Sequence, residues 1–265
     1  MNTLKAIFKM LLFMLLTLLV VLIQPLILAV HRGRYSYVVP KFWHSCVCLI
    51  FSIKVNVEGT PYTDEQTIYL SNHLSYLDIP VIGSLLTASF VAKADVASWP
   101  LFGFLSKLQQ TAFISRARQD AKKETNSLTN MIGKEGKSII VFPEGTSTDG
   151  KTVRSFKSSL FSIATEANNE NLRVQPFTIS MISTNKKRVE TQEDRDLYAW
   201  HLEMDTELHY HLWSFAKSKG ARITLTFHPP ILARDYQNRK ELSKICHENV
   251  LGGLQCRDTQ PNIAA

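Results

Sequence analysis

The fold can be read outward from Thr67-Ile68-Tyr69-Leu70-Ser71-Asn72-His73-Leu74-Ser75-Tyr76-Leu77-Asp78. Residues 67–70 form a short apolar run and read as a buried strand. Residues 79–86 read as a helix with Pro80 near its first turn, where a missing N–H removes no hydrogen bond. Between them lies a polar turn, with His73 where the strand ends and Asp78 five residues later. On one regular helix that separation would point the two side chains roughly 140° apart. They meet only if His73 lies on the turn and Asp78 at the helix start. The carboxylate would then accept one imidazole N–H and leave the other nitrogen free as a base. An Asp at a helix start is also a common cap, so the pair takes its meaning from the rest of the chain.

The flanking sequence alternates between strand and helix. Residues 53–57 alternate in polarity and end at Glu58-Gly59. Strands are expected at 89–92, 111–114, 138–142, 174–179 and 222–227. Helices are expected from Asp95, over 119–133, 155–168 and 195–217, and over 239–250. This order predicts an α/β fold, a layered domain with a largely parallel mixed sheet flanked by helices. Domain boundaries follow: an apolar N-terminal membrane anchor over 1–52, a catalytic domain over 53–256 and a loose tail over 257–265.

The N-terminus sets the surroundings. Residues 10–30 carry no charge, Lys5 and Lys9 precede them, and His31, Arg32 and Arg34 follow. About 20 apolar residues span a bilayer core as a helix. Gln24 and Pro25 interrupt a clean span, and a second apolar run at 46–53 permits a hairpin in one leaflet. No small-residue cleavage site marks a signal peptide. The net charge is +7 with a pI near 9.2, which suits anionic partners such as a membrane face or an acidic carrier protein. Cys46, Cys48, Cys246 and Cys256 match no zinc spacing and read as reduced thiols in a cytoplasmic setting.

In an open α/β sheet the site lies beyond the carboxyl ends of the strands. Strand 111–114 runs into Ser115-Arg116, and Arg116 has the planar fork that clamps a phosphate. Strand 138–142 runs into Pro143-Glu144-Gly145-Thr146, a turn whose Gly permits close backbone approach. Strand 174–179 begins with Gln175-Pro176. There is no G-x-S-x-G elbow and no G-x-G-x-x-G, which argues against a serine hydrolase or a dinucleotide-dependent enzyme. His209 and His211, two apart, do not share a helix face, so no metal site is expected. Lys186-Lys187-Arg188 belongs to no nucleic-acid module.

Asn72-His73-x4-Asp78, Phe113-Ile114-Ser115-Arg116, Phe142-Pro143-Glu144-Gly145-Thr146 and Val174-Gln175-Pro176 occur in that order. Together they resemble the four blocks of the glycerolipid acyltransferases, above all the 1-acylglycerol-3-phosphate acyltransferases, over roughly 36–230. Phe156-Lys157 resembles the family's continuation of the third block. The resemblance implies a membrane-bound O-acyltransferase with its catalytic domain facing the cytoplasm. It would move an acyl group from acyl-CoA or an acyl carrier protein to the sn-2 hydroxyl of a lysophosphatidic acid, with no cofactor, metal or nucleic acid. His73 and Asp78 would be catalytic. Arg116 would bind the acceptor phosphate, and Glu144, Gly145 and Thr146 would position the acceptor. Ser147 departs from the family, which commonly has Arg there, so that phosphate contact is missing. Ser158-Ser159 departs again where Gly is frequent. Two other readings stand beside the first: the same chemistry on another lysolipid such as a lyso-ornithine lipid, and a non-catalytic lipid-binding protein.

Overall fold

The computed structural model of the chain describes residues 3–31, 33–114, 128–129, 131–132, 136–166 and 169–258. Nine strands lie in this part: β1 Ile53–Glu58, β2 Thr67–Ser71, β3 Ser89–Lys93, β4 Ala112–Ile114, β5 Ile139–Val141, β6 Arg173–Thr184, β7 Lys187–Arg188, β8 Ala221–Phe227 and β9 Ile231–Leu232. They form one sheet in the order β1-β8-β6-β2-β5-β3-β4, with β7 and β9 paired to β6. Neighbours in the run β6-β2-β5-β3-β4 are all parallel, as are β1 and β8. Every antiparallel pair among the described strands includes β6, which pairs so with β7, β8 and β9. The sheet is therefore the mixed, largely parallel one expected.

The strands are apolar on both sides because both faces are covered. Ile68 and Leu70 of β2 point into one core, and Tyr69 points into the other. Ile139 and Val141 of β5 divide from Ile140 in the same way. On the Tyr69 face lie α1 Thr3–Val30, α2 Val38–Ile50, α3 Asp78–Gly83 and α7 Leu208–Lys217. On the other face lie α5 Ser162–Thr165, α8 Arg239–Asp258, Leu128 and Ile132. Two shorter helices, α4 Phe102–Leu108 and α6 Gln192–Asp196, complete the described set.

α1 is long and apolar enough to cross a membrane by length and composition. It is also docked on the folded domain. Ala6, Phe13, Thr17, Val20 and Gln24 are its buried positions. Lys9 Nζ donates to Ser218 O at 3.2 Å, and Trp43 Nε1 of α2 donates to Thr17 Oγ1 at 3.1 Å. Gln24 does not face outward. Its amide donates to Ser36 O at 2.8 Å and Leu108 O at 3.2 Å. Leu11, Leu15, Leu18 and Leu22 remain exposed on the opposite side.

Some helices differ from expectation. The 195–217 helix is broken: α6 ends at Asp196 and α7 begins at Leu208. The intervening chain is held by tertiary bonds, Trp200 N to Leu74 O at 2.9 Å and Trp200 Nε1 to Thr206 O at 2.8 Å. The 155–168 helix shrinks to a 3-10 turn, Ser158–Phe161, followed by α5, because Lys157 N is diverted to Pro143 O at 2.9 Å. The segment from Asp95 is a 3-10 turn, Ala94–Ser98, followed by α4. The last helix passes the expected end at Val250 and reaches Asp258, two residues into the stretch read as a tail. Most of the 119–133 helix lies outside the described residues, though 128, 129, 131 and 132 are helical.

Candidate active site

β2 and β5 run parallel with Leu70 beside Val141. His73 and Glu144 each follow those residues by three positions, so the register alone brings the two turns together at one sheet edge. Contact is direct: His73 N donates to Glu144 Oε1 at 2.8 Å. The other carboxylate oxygen accepts from Arg154 N at 2.7 Å. Glu144 is buried and staples three segments. Burial pushes its carboxyl up to about 7, against the downward pull of the two backbone N–H groups and the Arg154 charge.

The β2 turn is fixed from both sides. The Asn72 amide donates to Ile179 O at 2.9 Å and accepts from Ile179 N at 2.8 Å. It thus extends the pairing of β2 with β6 by a side chain. His73 O accepts from Thr148 N at 2.9 Å. The His73 ring stacks on Phe142, with centroids 4.0 Å apart and planes 14° from parallel.

Asp78 opens α3, as the sequence required for a meeting with His73, and the two do meet. His73 Nδ1 lies 2.8 Å from Asp78 Oδ2. That oxygen also accepts from Leu74 N at 2.7 Å and Ser75 N at 3.0 Å. The second oxygen accepts from Tyr198 Oη at 2.9 Å. A wholly buried carboxylate is tolerated because four donors converge on it. With Nδ1–H donating to the carboxylate, Nε2 of His73 keeps its lone pair. The His73 side chain is one-fifth exposed, so a reactant can reach it.

Tyr198 had no signal in the sequence, since 120 positions separate it from Asp78. Burial and the neighbouring Asp78 charge raise its phenol well above the usual value, so it stays a donor. A second tie supports it. The His211 ring lies 3.0 Å from Asp196 O through Nε2 and 2.9 Å from Tyr76 Oη through Nδ1. A carbonyl only accepts, so Nε2 carries the proton and Tyr76 donates to Nδ1. Burial lowers the His211 pKa and favours this neutral ring.

The other expected residues fall in three groups. Gly145 and Thr146 follow Glu144 on the same turn, and Gly145 has φ +70, which a side chain would strain. Gln175 is on the opposite edge. Its amide is committed to Tyr62 N at 2.8 Å, Thr60 O at 2.9 Å and His228 O at 2.9 Å, so it braces loops rather than the crevice. Arg116 lies outside the described residues; β4, which precedes it, ends on the same edge as β2 and β5. Ser147 turns its hydroxyl to Trp200 O at 2.7 Å. Among the described residues no three His, Cys, Asp or Glu side chains gather as metal ligands.

A strand-end histidine, held by a buried carboxylate and without a nucleophile elbow, has the geometry for direct transfer to a hydroxyl. The acyltransferase family profile matches residues 53–180. The lyso-ornithine lipid O-acyltransferase of Rhizobium meliloti is 32% identical over 218 residues, covering 80% of this chain and 73% of that one. The enzyme of that name from Rhodobacter capsulatus is 30% identical over 226 residues, covering 84% and 78%. A chloroplastic 1-acyl-sn-glycerol-3-phosphate acyltransferase of Arabidopsis thaliana is 28% identical over 155 residues, covering 56% and 42%. The crystal structure of the LPA acyltransferase PlsC from Thermotoga maritima has the same fold, with a TM-score of 0.62 at 22% identity over 96% of this chain and 99% of that one. The chain belongs to the acyltransferase family. It is an acyltransferase of the lysolipid type.

Proposed function

We propose that the protein transfers a fatty acyl group from a thioester, acyl-CoA or acyl carrier protein, to the free hydroxyl of a membrane lysolipid. The observation that carries this is the His73–Asp78 contact at 2.8 Å with Nε2 left open. His73 Nε2 takes the proton of the acceptor hydroxyl as its oxygen attacks the thioester carbonyl. The tetrahedral oxyanion collapses, the C–S bond breaks, and the imidazolium returns its proton to the leaving thiolate. Asp78 keeps the ring in one tautomer and steadies the cation that forms. The thioester carries the activation, so the scheme needs neither metal nor nucleotide. α1, with its exposed leucines, would hold the site at the lipid surface.

The acceptor we favour is a lyso-ornithine lipid. Two relatives of that name align over more than two thirds of their length, and Ser147 supplies no guanidinium where the phosphate-using pattern has one. Lysophosphatidic acid is the second reading, supported by the Arabidopsis relative and by Arg116 in the second block. The experiment is purified protein in detergent with each lysolipid and both donors, the product being identified by mass. Diacyl product from one or both acceptors supports the reading. Thioester hydrolysis without lipid product overturns it.

A further inference from the structure

An acceptor with an anionic head group needs a cation near the base, and position 147 does not provide one. Ser147 spends its hydroxyl on Trp200 O. A cation arrives from further along the chain. A Cβ built on Gly145 would run into Nζ, Cε and Cδ of Lys157, so the lysine stem and its ammonium lie against the Gly145 backbone. The backbone sets this placement: Lys157 N donates to Pro143 O at 2.9 Å just before the 3-10 turn Ser158–Phe161 begins.

Lys157 is an exposed residue, and its ammonium has no acid or hydrogen-bond partner among the described residues. Glu144, the acid beside Gly145, makes no hydrogen bond or ion pair with it and accepts instead from His73 N and Arg154 N. Thr146, the next residue on the turn, is half-buried and makes no hydrogen bond among the described residues. Its N–H and hydroxyl are two further donors. The base stands just across this turn: the His73 ring stacks on Phe142 at 4.0 Å, and Phe142 O accepts from Gly145 N at 3.0 Å.

We propose that Lys157 and Thr146 form a subsite for the anionic group of the acceptor, a phosphate or a carboxylate. This rests on the reading of the chain as a lysolipid acyltransferase. An ammonium is a point charge on a flexible stem and does not demand the planar, two-pronged match that a guanidinium makes. The subsite therefore accepts either anion, and it brings to the Glu144-Gly145-Thr146 turn a cation that Ser147 does not supply.

The test is steady-state kinetics of wild type, K157A and K157R on lysophosphatidic acid and on a lyso-ornithine lipid, varying acceptor and donor separately. K157A should raise the KM of the acceptor that wild type uses about tenfold to a hundredfold, the span covered by hydrogen bonds to charged groups. Its donor KM should stay within about twofold, and K157R should recover most of the loss. An unchanged acceptor KM in K157A overturns the subsite while leaving the acyltransferase reading intact. A raised donor KM instead assigns Lys157 to the thioester's phosphates and also overturns it. Wild type inactive on both lipids overturns the functional reading, and the subsite with it. Lys157 is exposed, so K157A should keep the wild-type thermal midpoint, which is measured alongside.

Discussion

Asp78 collects four donors on two oxygens in full burial. Removing one donor therefore strands part of a charge. Tyr198→Phe leaves Oδ1 without its partner and should cost about 1–3 kcal/mol of stability, read as a lower denaturation midpoint, with a fall in turnover as the carboxylate loosens. Asp78→Asn keeps the shape, but its amide N–H atoms would face some of the same donors. It should impair turnover more than Tyr198→Phe does under the same assay. Unimpaired turnover in both variants would separate the carboxylate from the chemistry. At this scale the sequence was informative where the residues are local: His73 and Asp78 lie on one turn and meet as their spacing required. It was silent on Tyr198 and on the Phe142 ring under His73, because only the folded sheet brings those elements together.

Among elements, the staple at Glu144 joins the turns after β2 and β5 to the backbone at Arg154. Its carboxyl, ordinarily near 4.5, is held up to about 7 by burial. Between those two values the folded chain binds a proton that the unfolded chain has released. This group's share of stability therefore falls as pH rises from about 4.5 to about 7 and stays constant above. Glu144→Gln removes that slope. The wild-type lead in stability over the variant should be greater at pH 5 than at pH 8, by on the order of 2–3 kcal/mol at most. Chemical denaturation at the two pH values measures it, and a lead that grows toward pH 8 contradicts the assignment. The seven strands of the run β1-β8-β6-β2-β5-β3-β4 were legible because period-2 patterning and short apolar runs are local signals, whereas the two-residue strands β7 and β9 exist only by pairing to β6 and were not. The helices over 195–217 and 155–168 were not, since Trp200 and Lys157 give their backbone N–H groups to Leu74 O and Pro143 O. Gly252-Gly253 would ordinarily suggest a helix end, yet α8 continues. At Gly253 a Cβ would strike Thr178 and His228, so that glycine serves close packing of α8 on the sheet.

For the whole molecule, α1 has two faces with different partners. Ala6, Phe13, Val20 and Gln24 pack on the domain, while Leu11, Leu15, Leu18 and Leu22 are exposed. Leu15→Asp with Leu18→Asp should therefore move protein from the membrane pellet to the soluble fraction without unfolding it. A charge in the lipid-facing stripe costs several kcal/mol, and neither side chain belongs to the core. A double variant that stays fully in the pellet after a salt wash would show that α1 is not the principal anchor. Gln24 and Pro25, which interrupt an apolar helix on paper, are accommodated because Gln24 turns into the protein. The central claim is that this docked, membrane-facing molecule acylates a lysolipid directly, with His73 as the base. The most direct measurement is the initial rate of diacyl-lipid formation by wild type and His73→Ala, each purified in detergent with saturating thioester and lysolipid. The account predicts a loss of at least about a hundredfold for His73→Ala at an unchanged thermal midpoint. Diacyl lipid formed by His73→Ala at close to the wild-type rate would contradict it.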